Sequence, residues 1–130
     1  MDFIKFESKH VLGIEEIDNQ HKKIYETVNK LFEMQNSTKV EIIDIYQNLL
    51  KEFKIHFETE ESLMKKNKVV EFISHKLEHD RALQKYSDYL KTLKKANSKL
   101  DMEILKSMKN WLENHFEKKD IKLKQFLNLN

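Results

Sequence analysis

The stretch TKVEIIDIYQNLLKEFKIHFETEESLMKK, residues 38–66, decides the fold. Thr38-x-x-Glu41 is a capping box, which starts a helix at about Lys39. Ile42, Ile45, Leu49, Phe53, His56, Glu60 and Met64 then follow at steps of three or four and form one stripe along that helix. A histidine and a glutamate inside an otherwise apolar stripe point inward, and the core between facing helices is where a bundle builds its cofactor sites.

The same period continues on both sides. Towards the N-terminus, Ile24, Val28, Leu31 and Phe32 define a helix over about 18–35, with Asp18 as its N-cap and His21 in its first turns. Asn36-Ser37-Thr38 separates it from the next. Towards the C-terminus, Val69-Val70 leads to a third helix over about 72–96, with His75, His79, Leu83, Tyr86 and Leu90 in register. After Asn97-Ser98, a fourth helix over about 100–116 carries Ile104, Leu105, Met108, Trp111, Leu112 and His115. Residues 1–17, which hold Gly13, are expected as an arm packed across the bundle, and 121–130 as a short tail. Four helices with short connections predict an all-α, antiparallel up-down four-helix bundle in a single domain, 1–130.

Composition agrees. There is no proline and one glycine among 130 residues, so turn chemistry is nearly absent and strong helix formers dominate. The formal charge is +2, with cations spread over every segment, which excludes the basic stripe of a nucleic-acid reader. Charged residues make up 35% of the chain and read as solvated outer helix faces. No apolar run approaches a signal peptide or a membrane span, so a cytoplasmic location and no membrane partner are expected. A monomer or a weak homo-oligomer is expected, and the protein partner is unknown. With no cysteine, any metal must be held by nitrogen and oxygen.

Five of the six histidines fall where one bundle can aim them at a point. His56 with Glu60, and His75 with His79, are four apart and therefore lie one above the other on a helix face, each pair a two-pronged donor. His21, His115 and Asp120 add single donors. A tetrahedral zinc needs four ligands, whereas two octahedral ions sharing bridges can use all seven and leave a position open, so the count favours two metals. His115 and Asp120 are five apart, about 140° around a continuous helix, so the helix must stop or turn near residues 117–119 for both to serve.

Gly13-Ile14-Glu15-Glu16-Ile17-Asp18-Asn19-Gln20-His21-Lys22, His56-Phe57-x-x-Glu60-Glu61-x-x-Met64, His75-x-x-x-His79 and Trp111-Leu112-x-x-His115-x-x-x-x-Asp120 occur in that order, and on them the chain resembles a hemerythrin over nearly its whole length. The resemblance implies a non-heme diiron centre that binds dioxygen reversibly. It implies His75, His79 and His115 on a six-coordinate iron, and His21 and His56 on an iron with a vacant position. Glu60, Asp120 and a solvent-derived oxo or hydroxo group would bridge the two. The chain departs from many relatives in its arm, which carries Phe3 and Phe6 where they carry a tryptophan, and adds His10.

The expected function is a dioxygen carrier, store or scavenger, or oxygen sensing through a separate partner, and not an enzyme. The alternative is a diiron enzyme acting on peroxide or nitric oxide. Ile24, Trp111 and Leu112 are expected to wall a dry dioxygen pocket, with Phe57 and Phe116 less directly. His10 is expected in surface or capping duty. Glu61 points either to a ligand imidazole or to solvent. His75-Lys76-Leu77-Glu78-His79 also matches the His-x-x-Glu-His pattern of inverted zinc peptidases, a reading that requires Glu78 beside the metal as general base.

Overall fold

The computed structural model describes residues 2–95, 98–116 and 123. Among them are four α-helices and no strand: α1 Glu15–Glu33, α2 Lys39–Lys66, α3 Phe72–Leu93 and α4 Met102–Asn114, preceded by a short 3₁₀ turn at Ser8–His10. Cross-helix contacts give the direction of each helix. His21, early in α1, meets His56, late in α2. Tyr46, early in α2, donates to the carbonyl of Tyr86, late in α3, at 2.7 Å. His79, early in α3, meets His115 at the end of α4. Each pair joins the start of one helix to the end of another, so neighbours run antiparallel and the fold is the up-down four-helix bundle.

The helix ends differ from expectation in instructive ways. Asp18 does not cap α1. The helix begins at Glu15, and Asp18 sits in its first turn with Glu15 and Glu16, where carboxylates favour the positive end of the helix dipole. Its side chain reaches back instead, accepting from the backbone N–H groups of Leu12 at 2.8 Å and Gly13 at 3.0 Å. Gly13 takes φ +89°, a left-handed conformation that suits glycine and turns the arm into α1. Thr38 does cap α2, its hydroxyl accepting from the N–H of Glu41 at 3.3 Å. α3 stops at Leu93, short of residue 96, and the Ser98 hydroxyl lies within donating distance of the carbonyls of Leu93, at 2.8 Å, and Lys95, at 2.7 Å. α4 starts at Met102 behind Asp101, whose carboxylate accepts from Glu103 N–H at 2.9 Å.

One contiguous core joins all four helices through Ile24, Val28, Leu31, Leu49, Phe53, Tyr86, Met108 and Leu112. In α2 the buried position is taken by Tyr46, and Ile45 beside it is only partly buried. The arm packs along α1: Asn29 accepts from Ile4 N–H and donates to Ile4 C=O, both at 2.8 Å, and Phe3 stacks on Phe32 at 4.5 Å. Of the expected tail, Leu123 is buried in a small cluster with Met64 and Val69, against which Phe72 packs. The remainder of that segment lies outside the described residues. Among the described residues no helix is long and apolar enough to cross a membrane.

Candidate metal centre

Four helices each deliver imidazole or carboxylate to one end of the bundle. α1 brings His21, α2 brings His56 and Glu60 from its inward stripe, α3 brings His75 and His79 from its first two turns, and the end of α4 brings His115. All six residues are buried. The α-helical ladder ends at Asn114, and His115 and Phe116 follow in a wider π-type turn, a geometry that often accompanies functional positions. Asp120, expected as the seventh ligand, lies outside the described residues, as does the break expected at 117–119.

The donor atoms fall into two groups that meet at one carboxylate. The Nε2 atoms of His79 and His115 are 2.9 Å apart and lie 3.4 and 3.7 Å from Glu60 Oε1, which the Nε2 of His75 also contacts. On the other side, the Nε2 atoms of His21 and His56 are 2.9 Å apart, and His56 Nε2 is 3.2 Å from Glu60 Oε2. Among the described residues these are the two groups able to hold a cation, Glu60 with His75, His79 and His115, and Glu60 with His21 and His56. Neighbouring ligands on an ion at ~2.1 Å stand roughly 3.0–3.4 Å apart, so the spacings suit two ions with Glu60 between them. Five imidazoles converging through the same nitrogen, away from solvent, fit that use.

The outer nitrogens are held as well. His79 Nδ1 is 2.8 Å from Glu61 Oε2, so Glu61 faces the His79 imidazole and not bulk water. His56 Nδ1 is 3.0 Å from Gln20 Oε1, while the same amide donates to Thr59 Oγ1 at 3.1 Å, which fixes its orientation. His115 Nδ1 is 3.5 Å from Glu78 Oε1. Hydrogen bonds of this kind set the tautomer and present Nε2 as a lone pair. Glu78 therefore stands on the outer side of His115, away from the converging atoms, and cannot be the general base that the peptidase pattern requires. Gln20 was not singled out by spacing. Its signal was its place next to His21, which puts it at the α1–α2 seam.

Aromatic rings then clamp the imidazoles. Phe57 stacks on His79 at 4.1 Å and 8°, Trp111 on His115 at 4.5 Å and 10°, and Phe116 on His21 at 3.6 Å and 20°. Phe57 and Phe116, ranked below the other wall residues from the sequence, are thus as closely engaged as any. Ile24 and Leu112 are fully buried, whereas Trp111 is half-buried and also lines a cleft on the outside of the bundle. His10 is buried and not on the surface. Its Nδ1 accepts from Glu7 N–H at 2.9 Å, the capping duty expected as one of its two options.

A family model described as the hemerythrin HHE cation binding domain matches residues 12–127. The chain belongs to the hemerythrin family. A bacteriohemerythrin of Clostridium acetobutylicum is 32% identical to it over 115 residues, covering 84% of this chain and 89% of that one. The myohemerythrin of Theromyzon tessulatum is 30% identical over 110 residues, covering 85% and 82%. A crystal structure of a wild-type hemerythrin superposes with a TM-score of 0.86 at 27% identity, covering 94% of this chain and 95% of that one. The four-helix bundle thus agrees with an independent comparison of sequence and of shape.

Proposed function

We propose that this hemerythrin binds dioxygen reversibly at a two-iron centre, as a cytoplasmic carrier, store or scavenger. The centre would be held by His21, His56, Glu60, His75, His79, His115 and Asp120. The observation that carries the reading is the position of Glu60, whose two oxygens face separate imidazole groups, three on one side and two on the other. Unequal nitrogen donation supports one filled coordination shell and one with room for a small ligand. Iron, when bound, would supply the two electrons that dioxygen uptake uses.

The chain's own residues do the rest. Gln20 and Glu61 orient His56 and His79. Phe57, Trp111 and Phe116 hold ring planes in place by stacking. Ile24 and Leu112, with no exposed surface, keep water and protons from the site, which favours release of dioxygen unchanged over oxidation of the irons. Five imidazoles give a shell with less anionic charge than the carboxylate-rich diiron oxidases, which supports reversible binding over substrate oxidation.

The test is an anaerobic ferrous preparation exposed to air and then returned to vacuum. A visible charge-transfer band that appears and disappears is the expected result. An irreversible change, with fast turnover of peroxide or nitric oxide in the presence of an electron donor, would replace carriage by the enzyme reading. One zinc per chain in a four-ligand shell would overturn both.

A further inference from the structure

We propose that the cleft outside the metal centre, between α3 and α4, binds a planar aromatic anion, and that a reduced flavin phosphate seated there returns electrons to the centre through Trp111 and His115. The second half rests on the diiron reading above. The first half does not.

The cleft has a volume of about 510 Å³, the size of a small-molecule site, and is lined by Ser74, Glu78, Arg81, Lys85 and Trp111 among others. Trp111 is the only tryptophan of the chain, and Arg81 its only arginine. The indole stacks on the His115 ring on one side and meets Phe57 edge-on at 5.6 Å, and the half-buried side chain also lines the cleft. Arg81 and Lys85 are four apart on α3 and so share one helix face. The Lys85 ammonium is held by Ser107 Oγ at 2.8 Å. Among the described residues no carboxylate oxygen pairs with Arg81, and Glu78, the one acid in the lining, has its Oε1 3.5 Å from His115 Nδ1. Among the described residues of the lining, two cations stand against one carboxylate, which leaves a net positive charge.

An indole that shares a cleft with a guanidinium and an ammonium suits a flat ring carrying a phosphate, since arginine pairs with phosphate through parallel hydrogen bonds and lysine as a point charge. A three-ring isoalloxazine resting against Trp111 would be separated from His115 by one indole. The exchange balances. The dihydroflavin gives up two electrons and two protons, from N1 and N5, and becomes oxidised flavin. The electrons reduce two ferric ions to ferrous, and the protons leave to water at the open mouth. Trp111 and His115 conduct and are unchanged overall.

The test uses the iron-loaded full chain and flavin mononucleotide. Flavin emission anisotropy and quenching of the single tryptophan should both report saturable binding, weakened by salt because the cations are exposed. R81Q and K85Q should each raise Kd about tenfold, the size of one charge-assisted hydrogen bond, with iron content and the dioxygen band unchanged. Anaerobic reduction of diferric protein by dihydroflavin should saturate with the same constant and slow about tenfold in R81Q below saturation. No saturable binding, or binding indifferent to the R81Q K85Q pair, would overturn the site. Normal binding with a reduction rate linear in dihydroflavin and equal in R81Q would overturn the electron route. Neither outcome touches the reversible band, which tests the diiron reading separately.

Discussion

Under the proposed two-iron centre, replacing Glu61 by alanine removes a group outside the ligand set yet should loosen one of the two irons. Its Oε2 lies 2.8 Å from His79 Nδ1, and its side chain is only 16% exposed. A hydrogen bond to a charged acceptor in that setting is worth about 1.5–3 kcal/mol. Lost from a ligand imidazole, it converts to roughly a ten- to hundred-fold weaker grip, the range seen when the outer partners of metal-bound histidines are removed. The neutral Gln20 amide, 3.0 Å from His56 Nδ1, supplies only about 0.5–1.5 kcal/mol, or roughly two- to ten-fold. The two variants should therefore differ in size and in place, with Glu61→Ala weakening the three-imidazole ion strongly and Gln20→Ala weakening the two-imidazole ion mildly. Competition with a graded chelator, read by iron content and X-ray absorption, measures both. If Glu61→Ala keeps both irons as tightly as the parent, or if Gln20→Ala has the larger effect, the outer hydrogen bonds do not set ligand strength here.

Three other outcomes follow from the same geometry. Leu112 has no exposed surface, so Leu112→Ala should cost about 3–5 kcal/mol of stability by leaving a cavity and should speed autoxidation several-fold with two irons still bound; an oxy form as long-lived as the parent's would remove Leu112 from the shielding role. Chelating the iron should lower the melting temperature by on the order of 10 °C, because a ligand that binds only the folded state stabilises it by about 4 kcal/mol at a thousand-fold excess over Kd; an unchanged melting temperature would place the metals outside the core. Burial pushes the carboxyl of Glu52 above its usual range, against the weaker opposing effects of Thr27, Lys23 and Asn48. Its folded state thus holds a proton more tightly than the unfolded chain, and the stability this gives is present below the unfolded pKa and lost as pH rises through the folded one. Glu52→Gln should raise the melting temperature of the apoprotein near neutral pH and lose that advantage below about pH 4; an equal gain at both ends would show that charge is not the cause.

Much of this was legible because a helix repeats. Once His56 and Glu60 sat in the stripe with Leu49, Phe53 and Met64, their inward direction followed from spacing alone. The stripe was less reliable where two apolar residues adjoin, as at Ile45 and Tyr46, since both lie near the core face and long-range packing on Tyr86 picks the tyrosine. Helix ends were harder still. Asp18 has the chemistry of an N-cap, but its carboxylate found the Leu12 and Gly13 amides, a choice that depends on how the arm returns. Partners of the outer nitrogens come from other helices in three cases, Gln20 to His56, Glu61 to His79 and Glu78 to His115, and no periodicity within one helix can announce them. The stacking of Phe57, Trp111 and Phe116 on imidazoles is of the same kind for Phe57 and Phe116, which cross between helices. Trp111 on His115 is the exception, four apart on one helix face and readable in principle.

The placement of Glu60 has a consequence for how the protein is assembled. A single carboxylate that serves both halves cannot be aimed for one without being aimed for the other. Under the proposed two-iron centre, the first ion to arrive would hold Glu60, whose second oxygen already lies 3.2 Å from His56 Nε2, in the orientation that the neighbouring pair of histidines needs. Part of the ordering cost of the second site would then be met by the first event, which would be positive cooperativity in metal uptake. Titration with ferrous iron should then rise steeply, with fully loaded and empty chains dominating and singly loaded chains scarce, so that a cell short of iron would hold fewer working copies instead of many half-built ones.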